Sequence, residues 1–104
     1  MNFEIAPKST EIQSNWHNAI AYCDSLNIGG KTGWRLPTKE ELNEIYESEN
    51  DFEKWYYWSS TENNGNNAWG QYFYNGGQYF YNGCQYYNFK TFGGLYVRAI
   101  RSTV

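Results

Sequence analysis

The second half of the chain repeats tyrosine, phenylalanine, asparagine and glutamine at fixed spacing. Residues 70–90 read as one seven-residue unit written three times, GQYFYNG, GQYFYNG and CQYYNFK, and all of them except Lys90 lie within an uncharged stretch that covers residues 63–89. A tyrosine ring stacks on the apolar face of a ligand, while its hydroxyl and nearby side-chain amides form hydrogen bonds. These residue types therefore predict a surface for non-covalent binding.

The repeat also predicts its own local structure. Aromatic residues alternate at period two within each unit, and Asn-Gly, the strongest short signal for a two-residue hairpin turn, follows at 75–76 and at 82–83. Turns at these positions predict a three-strand meander in which the second unit lies between the first and the third. Tyr72 would then lie opposite Tyr79, and Tyr79 opposite Tyr86.

This register separates two faces, of which the one with Trp69 and Phe73 is expected to turn towards the core. The other face, with two asparagines of the preceding loop expected nearby, carries the candidate ligand-binding residues: Tyr72, Tyr74, Tyr79, Tyr81, Tyr86, Asn66 and Asn67. Two alternatives stay open. The tyrosines are also typical of an ordinary antiparallel sheet, and the tract resembles low-complexity sequence prone to cross-β pairing, which its glycines and turn signals disfavour.

Side chains able to make or break bonds are sparse. The single histidine, His17, lies beside the apolar stripe of a predicted helix, where we expect a surface residue. The two cysteines, Cys23 and Cys84, belong to different elements and to no metal-ligand spacing, and a disulfide between them stays open. No nucleophile or carboxylate pair stands at a recognisable spacing, so we expect no enzyme, no cofactor and no metal site.

Length and charge exclude further classes. A chain of 104 residues predicts one domain, 1–104, and the net charge of −3, with acidic residues concentrated at 40–53, makes nucleic acid an unsuitable partner. The acidic run is typical of the solvated face of a helix. No segment approaches the roughly 20 apolar residues that span a bilayer, and the first ten residues lack a signal-peptide pattern. Whether Met1 is a natural start stays open.

The first half of the chain predicts two helices after a short strand. The strand covers 3–6, and Ser14 is a plausible N-cap for a helix whose stripe is Trp16, Ala19, Ile20 and Cys23. That helix is expected to end near 27–30, where two glycines supply a left-handed cap. A capping box at Thr38–Glu41 opens the second helix, whose buried side is Leu42, Ile45 and Tyr46.

The remaining sequence predicts strands and a core built from rings. Strands are expected at 55–61 and 95–101, around a loop at 63–67 and the meander. Helices first, strands afterwards and a last strand able to pair with the first predict an α+β domain. Aromatic residues make up 21% of the chain, and the expected core tryptophans are Trp16, Trp34, Trp55, Trp58 and Trp69.

Several short motifs recur in a specific order. WxxAxxYC at 16–23, GWRLPT at 33–38, EL at 41–42, YWSST at 57–61, AW at 68–69 and VRAIR at 97–101 cover nearly the whole chain. Together they resemble the collagen-like-protein C-terminal (Lcl C-terminal) domain family. One departure is Ala99, where relatives often carry a cysteine.

The resemblance implies a C-type-lectin-like fold, with two helices flanking a small antiparallel sheet, paired terminal strands and a binding surface built by the late strands and loops. It implies a structural role for Arg35, Pro37 and Thr38 at a turn and cap, and for residues 59–61 as partners of buried backbone groups. It also implies a surface adhesin, some relatives of which bind sulfated polysaccharides, and a similarity to the variable tips of proteins diversified by retroelements.

These observations favour a non-catalytic module that binds glycans without metal, because the calcium-ligand motifs of true C-type lectins are absent. A sulfated glycan would require basic residues, and the surface offers only Lys90, with Arg98 or Arg101 as the other candidates, so the sulfated-polysaccharide precedent transfers poorly to this chain. The main alternative is that the chain binds a protein receptor, as a variable receptor-binding tip or a small phage-encoded inhibitor. The third possible function is that of a homo-oligomerisation domain. The expected location is a cell or virion surface within a longer precursor, with a cytoplasmic location left open.

Overall fold

The computed structural model describes residues 1–48, 50–73 and 85–103. These residues form two α-helices, eight strands and a short 3-10 helix at Lys8–Thr10, which confirms the predicted α+β class. The helices are α1 (Trp16–Ser25) and α2 (Lys39–Glu47), and the strands are β1 (Phe3–Ile5), β2 (Ile12–Ser14), β3 (Trp34–Arg35), β4 (Tyr56–Glu62), β5 (Asn67–Tyr72), β6 (Gln85–Phe89), β7 (Leu95–Val97) and β8 (Ile100–Ser102). Neither helix is both long and apolar enough to cross a bilayer.

The described strands form two sheets, where the prediction had one small antiparallel sheet. The smaller has the order β1-β8-β3 and the larger β2-β7-β4-β5-β6. The larger sheet is mixed, because β4 and β7 run parallel. The expected pairing of the terminal strands is confirmed, since Phe3 lies opposite Ser102.

The predicted last strand is divided between the two sheets. β7 pairs with β2 in the larger sheet and β8 pairs with β1 in the smaller one, so the chain changes sheet at Arg98 and Ala99. The Ala6 N–H donates to the Ala99 carbonyl at 2.9 Å, and Arg98 Nε donates to the Ala6 carbonyl at 2.6 Å. A single strand over 95–101 is wrong because β1 and β2, its partners, are themselves separated by Pro7 and the 3-10 helix.

Helix α1 begins one residue later than predicted. Asn15, not Ser14, is the N-cap, and its side-chain oxygen accepts from the Asn18 N–H at 2.9 Å. Ser14 instead belongs to β2, so the sheet takes the residue that sequence preference assigned to the cap. Trp16, Ala19 and Cys23 are buried as predicted, whereas Ile20 is exposed, because the core contacts a narrower stripe of this helix.

The two glycines expected to cap α1 have another role. The helix already ends at Ser25, and Leu26 follows in an extended conformation. Gly29 and Gly30 have φ values of 58° and 87°, and they form the turn that closes the Ile28–Lys31 bridge. The left-handed backbone is therefore present, but in a tight hairpin.

Helix α2 confirms its predicted capping box. Thr38 Oγ1 accepts from the Glu41 N–H at 3.1 Å, and Glu41 Oε1 accepts from the Thr38 N–H at 2.9 Å. Arg35 Nη1 and Nη2 donate hydrogen bonds to the two oxygens of the same carboxylate, at 2.7 and 2.9 Å. Leu42 and Ile45 are buried and Tyr46 is half-buried, as the spacing predicted.

Both faces of the larger sheet pack against ring-rich clusters. Trp16, Trp34 and Trp58 are buried in one cluster, and each indole N–H donates to a backbone carbonyl at 2.8 to 2.9 Å. The other cluster is centred on Tyr57. Trp55 does not belong to the core, since 44% of its surface is exposed. Its indole lies at the end of the strand, beyond both clusters.

The WSST segment has the structural role that the resemblance implied. Ser59 Oγ donates to the Trp69 carbonyl at 2.7 Å and accepts from the Thr61 N–H at 3.1 Å. Thr61 Oγ1 accepts from the Lys39 N–H at 2.9 Å, while the Ser60 N–H donates to the Pro37 carbonyl at 2.8 Å. These bonds join β4 to the start of α2 and to β5.

Candidate functional site

The first and third repeat units pair directly, which contradicts the predicted strand order. β5 bonds to β4 along one edge and to β6 along the other, with Gly70 opposite Tyr86 and Gln71 opposite Gln85. The described parts of the first and third units are therefore direct neighbours. The meander prediction failed because β4, which has no repeat motif, supplies the second partner. The candidate residues Tyr74, Tyr79 and Tyr81, together with Cys84, lie outside the described residues.

The predicted division of side chains between faces nevertheless holds for the described strands. Tyr72 and Tyr86 share one face, while Trp69 and Tyr87 share the other with ring centroids 5.5 Å apart. Strand side chains alternate strictly. The predicted meander aligned Tyr86 with Tyr72 through Tyr79, whereas in the structure Tyr86 lies opposite Gly70, a shift of two residues along β5. The change of partner therefore leaves each ring on its predicted side.

Four rings on the Tyr72 side form what we call the tyrosine cluster: Trp55, Tyr56, Tyr72 and Tyr86. Tyr56 stacks on Tyr72 with centroids 4.5 Å apart and planes 11° apart, and it meets Tyr86 at 6.2 Å. Trp55 contacts Tyr72 edge-on at 6.2 Å. The three tyrosines are half-buried. Sequence reasoning did not assign Trp55 and Tyr56 to the site because they precede the repeat.

The loop asparagines do not flank this cluster. Asn66 and Asn67 lie at the start of β5, where both N–H groups donate to Asn64 Oδ1 at 2.8 and 2.9 Å. Tyr72 ends the same strand five residues later, about 17 Å away at the usual rise per residue. Asn67 also pairs with Phe89 and faces the opposite side of the sheet.

A cleft opens beside Trp55, and we call it the Trp55–Tyr96 cleft. Its volume is about 470 Å³, and its lining residues are Gln13, Phe52, Glu53, Lys54, Trp55 and Tyr96. The Gly94 carbonyl accepts from Trp55 Nε1 at 3.0 Å and from Gln13 Nε2 at 3.1 Å. Tyr96 stacks on the buried Tyr57 at 5.4 Å. The walls are thus held in place by the sheet behind them.

A buried polar network supports the floor of this cleft. Tyr57 Oη donates to Glu11 Oε2 at 2.7 Å and accepts from the Glu53 N–H at 2.7 Å. Burial, followed by the hydrogen bond to Glu11, raises the pKa of the Tyr57 phenol well above its usual value. Arg98 Nη1 lies 3.0 Å from Glu11 and 2.9 Å from Asp51, and this guanidinium lowers the pKa of Asp51. The phenol is a permanent donor here, which is a structural role.

The opposite face of β5 and β6 is only partly turned inward. Gln71 and Phe73 are buried. Gln71 Nε2 donates to Asn43 Oδ1 at 2.9 Å, and Gln85 Nε2 donates to Gln71 Oε1 at 3.1 Å. These amides join this end of the sheet to α2. Towards the other end the face opens, and the exposed fractions of three rings are large: Tyr87 58%, Phe89 68% and Phe92 53%. Lys39 Nζ lies 3.6 Å from the centroid of the half-buried Trp69 ring.

The three basic residues considered as candidate partners of a sulfated glycan are occupied within the protein. Lys90 is buried, donates to the Gly65 carbonyl at 3.2 Å and lies 4.5 Å above the Trp16 ring. Arg98 is buried in the network beneath the cleft. Arg101 lies 3.0 Å from Glu4. None of these three presents a free charge on the tyrosine side of the described chain, so none of them offers a site for a sulfate group.

The reactive side chains of the described chain are dispersed. His17 is exposed on α1, with its ring 5.2 Å from that of Trp16. Cys23 is a free thiol in the core, and burial raises its pKa to about 12. Among residues 1–48, 50–73 and 85–103, no three His, Cys, Asp or Glu side chains converge as metal ligands.

Comparison with known families gives one match. The model of the family described as the Lcl C-terminal domain matches residues 4–101, nearly the whole chain. A search of curated proteins found no match to this sequence.

Proposed function

The chain belongs to the Lcl C-terminal domain family, and from this premise we propose that it is a non-catalytic ligand-binding module with a C-type-lectin-like fold. It acts in adhesion at the surface of a cell or virion, as part of a longer protein. Its ligand is a glycan, bound without a metal ion. Nucleic acid and the membrane interior are not its partners.

The observation that carries this proposal is that Trp55 both contacts the tyrosine cluster and lines the Trp55–Tyr96 cleft. Stacked tyrosines lead to an indole that is 44% exposed, and the indole forms a wall of a cavity with amide and carboxylate groups on its rim. The apolar C–H face of a sugar ring stacks on such an indole, while its hydroxyls exchange hydrogen bonds with the rim. Neither contact requires a cation.

The test is a broad glycan array probed with the purified chain, with and without EDTA. A Trp55→Ala, Tyr72→Ala double variant is compared with Phe89→Ala, which removes an exposed ring opposite Asn67, at the other end of β5 from Tyr72. We expect hits that resist EDTA, disappear in the double variant and persist in Phe89→Ala. Melting temperatures of all three proteins control for folding. A blank array, or hits that require calcium, would exclude metal-free glycan binding.

A protein receptor is a second candidate ligand, favoured by a different observation. Tyr87, Phe89 and Phe92 are exposed together around a pocket of about 300 Å³ that Asn67 also lines. Exposed aromatic groups of this kind are enriched in protein interfaces and in antibody paratopes. The test measures the oligomeric state of the chain and of a Tyr87→Ala, Phe89→Ala variant by size-exclusion chromatography with light scattering. This comparison distinguishes a self-association surface from a surface reserved for another protein.

A further inference from the structure

We propose that the Trp55–Tyr96 cleft holds a single neutral pyranose ring and is the subsite that selects the sugar. The inference rests on the proposed glycan-binding function and goes further by naming the cleft and the class of sugar. Sequence reasoning did not find this cleft, because its walls come from three distant segments around Gln13, Trp55 and Tyr96.

The cleft is already shaped to receive a ring. Its volume of about 470 Å³ lies inside the range of roughly 300 to 1,000 Å³ that is typical of small-molecule sites. Trp55 is held at three points: its indole N–H by Gly94 at 3.0 Å, its backbone N–H by Glu53 at 2.9 Å and its carbonyl by Phe73 at 2.9 Å. An exposed indole that is fixed beforehand loses little conformational freedom when a ligand stacks on it.

The polar rim offers both donors and acceptors. Gln13 uses one amide hydrogen for Gly94, which leaves its carbonyl oxygen and its second hydrogen for a ligand. The Glu53 carboxylate contacts Lys8 at 2.9 Å and has further lone pairs directed to solvent. Lys54 is exposed and forms no ion pair within the described part of the chain. Sugar hydroxyls donate and accept in the same group, so they complement this mixture.

Charge decides between neutral and acidic sugars. Three cations and three carboxylates surround the cleft and its floor, and their formal charges cancel. These residues are Lys8, Lys54, Arg98, Glu11, Asp51 and Glu53. Of these cations, Lys8 and Arg98 already have partners, so a sulfate or carboxylate on the ligand would have to pair with Lys54 while it approached the neighbouring Glu53 carboxylate. A neutral pyranose is not repelled by Glu53, and it therefore fits this site better.

The cavity beside α1 is a natural comparison. It has about 290 Å³ and is lined by His17, Ile20, Asp24 and Trp34 among others. The Trp34 ring is buried and its indole N–H is bonded to the Lys31 carbonyl, so the cavity lacks an open indole face. Of these two cavities, only the one beside Trp55 combines a stacking surface with a polar rim.

The experiment follows the indole N–H signals of the five tryptophans by NMR in the ¹⁵N-labelled full chain. The probes are the methyl glycosides of glucose, galactose and mannose, with glucuronic acid and glucose 6-sulfate as charged counterparts. We expect at least one neutral glycoside to move the Trp55 signal saturably while the Trp16, Trp34 and Trp58 signals stay in place. Neither charged counterpart should bind more tightly.

Variants separate the contributions of the rim and the ring. Trp55→Ala should weaken binding about tenfold or more, and Trp55→Phe, which keeps a ring, should weaken it less. Gln13→Ala should weaken binding without moving the melting temperature appreciably. Tyr87→Ala, which removes an exposed ring of β6 that does not line the cleft, is the matched control and should bind with unchanged affinity.

The outcomes distinguish failure of the subsite from failure of the function. Glycan-array hits combined with shifts at Trp69, and none at Trp55, would overturn the cleft while the glycan-binding proposal stands. Tighter binding of the sulfated or carboxylated probe would overturn the neutral class. A blank array with no indole shift from any probe would overturn both.

Discussion

At the scale of single residues, exposure separates tryptophans that hold the fold from the one offered to a ligand. Trp58 is fully buried and its indole N–H is bonded to the Ser14 carbonyl at 2.9 Å. Trp55 is joined to the protein along one edge and keeps nearly half of its surface in water. Identical side chains three residues apart therefore have different expected roles.

Trp58→Ala should lower the free energy of unfolding by about 3 to 5 kcal/mol, because a large ring leaves a cavity in the core. Trp55→Ala should lower it by about 1 kcal/mol or less, as expected for an exposed position. Urea unfolding followed by circular dichroism measures both. Equal losses in the two variants would show that Trp55 belongs to the core after all.

The carboxylate of Glu41 makes stability depend on pH. The hydrogen bonds and charge of Arg35 outweigh burial and lower the pKa of Glu41 from 4.5 to about 2. The carboxylate therefore stabilises the fold fully above about pH 4.5, and this contribution is lost as the pH falls towards about 2. Glutamine keeps the capping box but neither titrates nor forms the ion pair.

We expect Glu41→Gln to be less stable than the parent chain near neutral pH, with the difference shrinking as the pH falls towards 2. Denaturant unfolding of the two proteins at a series of pH values gives this difference directly, and other titrating carboxylates cancel in the comparison. A difference that stays constant across the acid range would mean that Arg35 does not hold the ionised form.

At the scale of elements, the close approach of β4 and β5 depends on a residue without a side chain. A Cβ on Gly70 would lie 2.8 Å from the Tyr57 carbonyl and 3.0 Å from Leu95 Cδ2. The carbonyl belongs to a paired strand and cannot move aside. This contact explains why position 70 of β5 requires glycine.

Gly70→Ala should therefore destabilise the fold by about 1 to 3 kcal/mol through overpacking. Gly65→Ala is the matched control, since no atom lies within 4 Å of the added Cβ, and it should change stability by about 0.5 kcal/mol or less. Thermal unfolding of the two variants provides the comparison. Similar melting temperatures would indicate that the two strands can separate at Gly70 without loss.

At the scale of the whole molecule, Arg98 joins parts of the chain that are far apart in sequence. From the point where the chain changes sheet, it reaches the Ala6 carbonyl, Glu11 and Asp51. The Glu11 side chain is almost fully buried. Removing the guanidinium would leave that carboxylate without its closest cation.

Arg98→Ala should lower the free energy of unfolding by about 3 to 5 kcal/mol, the usual effect of breaking a buried ion pair. Arg101→Ala, which removes the pair with the partly exposed Glu4, should lower it by about 1 kcal/mol or less. Chemical denaturation compares the two. A small loss in Arg98→Ala would mean that water or Lys8 compensates Glu11, and that the two sheets do not depend on this contact.

The sequence by itself determined what is local. The capping box of α2 and its buried Leu42 and Ile45 follow from contacts within one turn, and the sides of Tyr72 and Tyr86 follow from the strict alternation of a strand. Together with the motif order, these signals were sufficient for the α+β class and the family.

Only the tertiary structure decided which strands pair and where a ligand has room. The partners of β5, the division of 95–101 between two sheets and the transfer of the α1 cap to Asn15 all depend on segments distant in sequence. The Trp55–Tyr96 cleft likewise exists because Gln13, Trp55 and Tyr96 meet in the folded chain. Strand pairing depends on contacts between segments that compete for the same edge of a sheet. The periodicity of one segment does not show which partner that segment will pair with.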